Sequence, residues 1–384
     1  MPRTPAPPRA RVTRYLALAA VVLLAGIGLA APQRLAGAAP ADAAILPTGA
    51  TDSPGAAAAD PLQQLTRVRF ATQFASGGVP LYLAVDRGYF QQEGIDLDFV
   101  PFSSNSEMVP ALATDQVEAG GISLNVATMN ALARGVRLKA MLDQGSLRPG
   151  YGFTALLIRK DVYDSGRGHS LTDLRGLNLV NTPPGKATTN YCAMSAALQR
   201  LGVPQDDVSI APLPFPDMVP AFANRAIDGG LVGEPFMTRI LQQGTAVKVM
   251  GQDEMYPNFT VNFIAYSSGL YNNRPAAKGF ARAYIRAIRD YLAAVNGRTS
   301  PADRAQVDES IARYTRIDVA TVREMAPVGF DPNGLLNQDS MLWCYPWYRE
   351  MGFLTETIPD STFAALWGTE LVDEVLNEIG RVSE

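Results

Sequence analysis

The hydrophobic and polar positions of residues 68–100 follow the pattern of a strand, a helix and a second strand. Val68–Thr72 is a short apolar run, and Pro80–Val85 is apolar and helix-prone. Gly88 follows three residues later, where a glycine commonly ends a helix. Over Ile95–Phe99 the apolar residues alternate with acids, which is the period of a half-buried strand. The pattern predicts a βαβ unit.

The alternation of strands and helices continues through two consecutive sets. The first set adds the helices Asn105–Thr114 and Asn125–Arg134 and the strands Glu118–Ile122 and Leu138–Leu142. The second set has the strands Thr154–Ile158, Leu177–Val180, Val208–Ala211, Ile227–Val232 and Val247–Met250, with the helices Ala187–Leu201, Met218–Arg225 and Pro235–Gln243 between them. Such spacing predicts mainly parallel sheets with helices on both faces, and two sets predict two lobes joined by a hinge.

The last third of the chain is expected to return to the first lobe and to end in helices. Thr260–Tyr266 is a strong strand that could carry the chain back, and Ala277–Val295 is a long amphipathic helix. The aromatic cluster at residues 343–348 is interpreted as helix packing rather than as a cofactor site, because Trp and Tyr mostly bury apolar area.

The N-terminus has the pattern of an export signal. Arginines precede the apolar run Leu16–Ala31, and either Ala36–Ala38 or Ala41–Ala43 could be a small-residue cleavage site. The run is shorter than the roughly 20 residues of a spanning helix, although an uncleaved anchor remains the alternative. Residues 39–65 are rich in Ala, Pro and Gly, and they predict a disordered tether.

These patterns predict five parts. They are a signal peptide (1–38), the tether (39–65), the first part of lobe one (66–156), lobe two (157–260), and a return to lobe one with C-terminal helices (261–384).

Composition excludes several classes of function. The 384 residues carry a formal net charge of −4 without a basic block, which argues against nucleic acid as a partner. One histidine and two cysteines argue against a protein-built zinc site. An exported protein could form a disulfide, but Cys192 and Cys344 are expected to be two buried free thiols. No nucleophile–base set or metal spacing indicates an enzyme.

Ligands of open α/β sheets bind outside the carboxyl ends of the strands, so the predicted site is the cleft between the lobes. In lobe one, aromatic rings could stack on a ligand, and Ser and Asn side chains could bond to it or simply cap helices. The candidates there are Gln73, Phe74, Tyr82, Asn105, Ser123 and Asn125.

In lobe two, the loop Asn181–Tyr191 leads into a helix whose N-terminus could accept an anion or a carbonyl oxygen. Glu234 could accept an N–H of a ligand, or it could be an acid favoured by the helix dipole. The candidates in and near lobe two are Tyr151, Lys186, Thr188, Tyr191, Glu234 and Phe236, with Lys186 alternatively in solvent.

The stretch Pro80–Val100, PLYLAVDRGYFQQEGIDLDFV, resembles the first lobe of solute-binding proteins of bacterial ABC importers. That family takes up nitrate, alkanesulfonates, taurine, thiamine pyrimidine precursors and, in some members, riboflavin. Pro184-Gly185 is similar to a turn of the family, although Lys186 alters it, and Glu234-Pro235 resembles its E-P motif. The resemblance implies a bilobal type II periplasmic-binding-protein fold and an exported monomer in the periplasm or at the outer face of the cytoplasmic membrane. It also implies ABC permease and ATPase partners and no cofactor.

The surplus of rings near the strand ends favours a flat heterocycle over nitrate or a short sulfonate. Riboflavin is the predicted ligand, with a thiamine pyrimidine precursor or an alkanesulfonate as alternatives. Two other classes stay open. One is a pyridoxal-phosphate-binding enzyme similar to pyrimidine synthases, with Lys186 holding the cofactor. The other is a membrane-anchored sensor domain.

Overall fold

A computed structural model describes residues 65–102 and 104–383, without the side chains of Asn105 and Ser106. The predicted signal peptide and all of the predicted tether except Leu65 lie outside the described residues.

Twelve strands are found in the described part of the chain. In chain order they are β1 (Thr66–Thr72), β2 (Ile95–Pro101), β3 (Ala119–Ile122), β4 (Lys139–Asp143), β5 (Ser146–Leu147), β6 (Thr154–Arg159), β7 (Leu179–Asn181), β8 (Ile210–Pro212), β9 (Gly229–Gly233), β10 (Ala246–Gly251), β11 (Phe259–Thr260) and β12 (Phe263–Tyr266).

The α-helices connect and cover these strands. They are α1 (Val79–Asp86), α2 (Tyr89–Gln92), α3 (Asn105–Ala113), α4 (Val126–Ala133), α5 (Lys160–Asp164), α6 (Thr189–Arg200), α7 (Phe215–Ala223), α8 (Phe236–Gln242), α9 (Gln252–Met255), α10 (Ser268–Asn272), α11 (Arg274–Val295), α12 (Pro301–Thr315), α13 (Val319–Glu324), α14 (Gln338–Glu350), α15 (Asp360–Leu366) and α16 (Thr369–Ile379).

The strands form two five-stranded sheets and a short ribbon. The first sheet has the order β2-β1-β3-β12-β4 and the second has the order β10-β6-β9-β7-β8, while β5 and β11 pair in the ribbon. In each five-stranded sheet one strand runs against the others, β12 in the first and β6 in the second. The prediction of two mainly parallel sheets is therefore confirmed.

The opening βαβ unit forms as its sequence pattern predicts. β1 and β2 pair in parallel from Thr66 opposite Ile95 to Thr72 opposite Pro101. Gly88 adopts a φ of 69°, a left-handed conformation that suits glycine and separates α1 from α2. The apolar face of this unit packs on α11, where the rings of Phe70 and Phe280 lie 6.1 Å apart.

The C-terminal third covers the first sheet and also reaches the second. α11 packs against α1, α2 and α16, and α12 packs against α1. α13 then contacts α8, and α14 contacts α6, both of which flank the second sheet. The helices after residue 300 therefore touch both halves of the described chain.

Candidate ligand-binding site

Loops at the carboxyl edge of each sheet carry most of the predicted site residues. In the second sheet Thr154, at the start of β6, pairs with Gly233 at the end of β9. β6 runs antiparallel to β9, so β6 begins at the edge of the sheet where β9 ends. The connection from the first lobe therefore reaches the second sheet at this edge. Glu234 and the loop before Thr154 therefore lie side by side, and the N–H of Glu234 donates to the carbonyl of Phe153 at 2.9 Å.

Phe74 is the aromatic residue that the first lobe presents after β1. Its φ is 50°, which is an uncommon conformation for a bulky residue and one found at functional sites. The backbone N–H of Phe74 donates to Thr72 Oγ1 at 3.1 Å, and its half-buried ring lies 5.9 Å from that of Phe99. Gln73 beside it is exposed.

Tyr82 does not present its ring to open space. The side chain is fully buried, its hydroxyl donates to the carbonyl of Ala75 at 3.0 Å, and its ring stacks on Tyr314 at 4.5 Å. Burial raises the pKa of Tyr82 well above its usual value. The predicted stacking face is occupied because α12 brings Tyr314 onto α1.

The polar candidates of lobe one divide between capping and burial. Asn125 caps α4, since its side-chain oxygen accepts the N–H of Thr128 at 3.0 Å. Ser123 is buried, and its carbonyl accepts the Thr128 hydroxyl at 2.8 Å. The side chain of Asn105 lies outside the described part of the chain.

The loop between β7 and α6 is bonded to itself. Asn181 Nδ2 donates to Thr188 Oγ1 at 2.7 Å, and Thr188 caps α6 by accepting the N–H of Tyr191. Lys186 Nζ donates to the carbonyl of Gln205 at 3.1 Å, and partial burial lowers its pKa. Thr188 therefore acts as a helix cap, and Lys186 is neither fully in solvent nor unpaired.

Tyr191 lies in the first turn of α6, where we expected its side chain to face the cleft. In the structure it is fully buried. Its hydroxyl contacts Gln205 Oε1 at 3.3 Å, and its ring lies 5.7 Å from that of Trp347. Burial raises its pKa. The difference arises because α14 docks against α6 and covers this face of the helix.

The expectation of two free thiols is wrong. Cys192 in α6 and Cys344 in α14 form a disulfide with Cα atoms 5.9 Å apart, within the range that a disulfide requires. Both residues are fully buried, as expected. The bond fastens the C-terminal part of the chain to the second lobe.

The second lobe carries a pair of rings at its carboxyl edge. Phe236, a predicted candidate, begins α8, and Phe215, which sequence reasoning missed, begins α7. The two half-buried rings stack 5.9 Å apart, and a Cβ added at Gly233 would lie 3.2 Å from Phe215 Cζ. The sequence signal that could have identified Phe215 is its position three residues after the end of a strand, in the sequence Pro-Phe-Pro.

Glu234 is buried between the end of β9 and the start of α8. Its carboxylate accepts the N–H and the hydroxyl of Thr238, at 3.1 and 2.9 Å, and the N–H of Ala326 at 2.9 Å. Burial raises the pKa of Glu234 above its usual value. Tyr151, the remaining candidate, donates its hydroxyl to Asn296 Oδ1 at 2.9 Å.

A model of the NMT1-like family matches residues 63–305, which is more than half of the chain. The chain belongs to the NMT1-like family. Two proteins of known name are similar to this chain in sequence. The riboflavin-binding protein RibY of Chloroflexus aurantiacus is 27% identical over 288 residues, which cover 73% of this chain and 74% of RibY. The taurine-binding periplasmic protein of Escherichia coli is 24% identical over 232 residues, which cover 60% of this chain and 68% of that protein.

Solved structures share the fold of this NMT1-like chain. The periplasmic aliphatic sulphonate binding protein SsuA of Escherichia coli superposes with a TM-score of 0.62 at 16% identity, over 80% of this chain and 99% of SsuA. The predicted bilobal periplasmic-binding-protein fold is confirmed. The chain therefore combines membership of the NMT1-like family with the fold of the periplasmic binding proteins.

The fold by itself also accommodates catalysis. The desulfurization enzyme DSZB superposes with a TM-score of 0.55 at 14% identity, over 82% of this chain and 99% of that enzyme.

Among the residues that the structure describes, no helix has the length and apolar character needed to cross a bilayer.

Proposed function

We propose that this protein is the exported solute-binding component of an ABC import system and that its ligand is riboflavin. The ligand is held in the cleft between the two lobes and delivered to the permease, and the protein performs no chemical step on it. Closure of two lobes around a ligand is a common mode of binding in such folds.

The observation that carries the choice of ligand is the set of rings at the strand ends. Phe74 of the first lobe is held in a left-handed conformation, and Phe215 and Phe236 of the second lobe are paired and half-buried. A flat tricyclic ring offers each of these side chains a stacking face, which adds about 0.5–1.5 kcal/mol per pair beyond burial. The relationship to RibY supports the same choice.

Two charged residues at this edge offer little to an anionic ligand. Glu234 is an acid, and the Nζ of Lys186 is already bonded to the carbonyl of Gln205. A sulfonate or nitrate would need donors or cations in their place.

Titration of flavin fluorescence tests the proposal. Riboflavin is expected to bind the wild type, and Phe236→Ala is expected to weaken binding about tenfold through lost stacking and burial. Tyr163→Ala is the matched control. Tyr163 lies in α5, which follows the opposite end of β6, and its ring stacks on that of His169. Its affinity should equal that of the wild type.

A thermal-shift screen covers the alternatives, because a ligand that binds only the folded state raises apparent stability. Stabilisation by a thiamine pyrimidine precursor or an alkanesulfonate, and not by riboflavin, would overturn the choice of ligand. An absorbance band of bound pyridoxal phosphate that disappears in Lys186→Ala would favour the enzyme instead.

A further inference from the structure

Glu234 belongs to the second lobe, yet one of its hydrogen bonds leaves that lobe. Two of its donors, the N–H and the hydroxyl of Thr238, lie within α8 and move with it. The third donor is the N–H of Ala326, 2.9 Å from Glu234 Oε1. With three protein donors around a buried carboxylate, Glu234 is already bonded without a ligand.

Ala326 lies in a segment that the first lobe holds. This return segment, residues 325–331, follows α13 and runs back to the edge of the first sheet. The N–H of Val328 donates to the hydroxyl of Tyr291 in α11 at 2.9 Å. The N–H of Asp331 donates to Asp143 Oδ2 at 2.7 Å, at the end of β4. The Glu234–Ala326 bond therefore joins the second lobe to a segment anchored on the first.

This partly buried bond belongs to the contact between the start of α8 and the end of α13. Ala326 packs against the apolar core of the second lobe. The other bond of the contact, from Gln242 Nε2 to Glu324 Oε2 at 2.7 Å, is exposed. Hydrogen bonds to a buried charged group are stronger than those between exposed groups, so Glu234 dominates the contact.

We propose that Glu234 fixes the closed arrangement of the two lobes and is a positioning residue for ligand capture rather than a ligand contact. The inference rests on the proposed function. A movement of the lobes that separates Glu234 from the return segment breaks the bond to Ala326, while the bonds to Thr238 move with the second lobe. Phe236 lies two residues further on, so a ligand stacked on its ring fixes the start of α8 and favours the bond. By linkage, the bond favours the ligand by the same factor.

Amide exchange in the ligand-free protein tests the bond directly. Selective ¹⁵N-alanine labelling reports the N–H of Ala326. Glu234→Gln keeps the shape of the side chain but places an amide donor among the three N–H and O–H donors. Exchange at Ala326 should accelerate by about tenfold or more, and small-angle scattering should show a larger radius of gyration. Riboflavin should dissociate faster, with its association rate nearly unchanged.

Thr238→Val is the matched control, because it removes the local hydroxyl partner of Glu234 and leaves Ala326 untouched. Its exchange rate at Ala326 should stay within about twofold of the wild type. If Glu234→Gln does not fold, Glu234→Asp serves instead, since it keeps the charge and shortens the reach by one methylene.

The possible outcomes separate this inference from the proposed function. Unchanged exchange at Ala326 in the folded variants overturns the role in closure. If affinity for riboflavin falls at the same time, Glu234 is a ligand contact instead. Failure of riboflavin to bind the wild type overturns the choice of ligand. The exchange rate at Ala326 is measured without any ligand, so it still decides whether Glu234 holds the two lobes together.

Discussion

At the scale of single residues, Asp143 is the carboxyl group whose surroundings differ most from water. It is fully buried at the end of β4 and accepts N–H bonds from Gly145 at 2.9 Å and Asp331 at 2.7 Å. Burial raises the pKa of Asp143 to about 7, against an ordinary value of 3.8, and the nearby Asp331 carboxylate adds to the shift. Asp331 is itself paired with Arg148 at 2.7 Å.

The shift of Asp143 predicts a pH dependence of stability. Between pH 4 and pH 7 the folded state holds a proton that the unfolded state releases, so the free energy of unfolding should fall as pH rises through this range. The loss should be on the order of 3–4 kcal/mol. Urea titrations across this range should show the loss in the wild type and not in Asp143→Asn. Parallel curves for the two proteins would contradict the assignment to Asp143.

Sequence position indicated which candidate residues follow strand ends, but it could not say which way their rings point. Phe74 and Phe236 follow strand ends and stay partly exposed, as their loop positions suggested. Tyr82 and Tyr191 occupy equally suitable positions, yet both are buried. The rings that cover them, Tyr314 of α12 and Trp347 of α14, come from distant parts of the chain. The local sequence around Tyr82 and Tyr191 does not predict such contacts.

At the scale of elements, the disulfide between α6 and α14 is the contact with the largest expected effect on stability. It closes a loop with a sequence separation of 152 residues, which restricts the unfolded chain strongly. The Cys192→Ser, Cys344→Ser double variant should lose roughly 2–4 kcal/mol of unfolding free energy. Denaturant titration of the wild type with and without reductant should give the same difference. A loss seen with reductant in the double variant as well would point to another cause.

Long elements with a clear period were predictable, and short or distant ones were not. The pattern of Ile95–Phe99 predicted β2, and the pattern of Ala277–Val295 predicted most of α11. The ribbon of β5 and β11 has two residues in each strand, too few to show any period. The pairing of Cys192 with Cys344 depends on how α14 docks, which neither cysteine's neighbours reveal.

At the scale of the whole molecule, the proposed export should leave a processed chain. Cleavage after Ala38 removes five arginines and no acid, so the formal net charge changes from −4 to −9. Intact mass spectrometry of the protein recovered from outside the cytoplasm should give the mass of residues 39–384. Recovery of the full-length mass in the membrane fraction would favour the anchored sensor.

The place of β12 in the first sheet affects the order in which the two lobes can be completed. In the proposed export the chain would emerge N-terminus first, and β3 and β4 would lack their shared neighbour until Phe263–Tyr266 had crossed the membrane. The second sheet uses only residues 154–251 and can close earlier. Until then the open edges of β3 and β4 are exposed to other unfinished chains, so an export chaperone would be most needed for the first lobe.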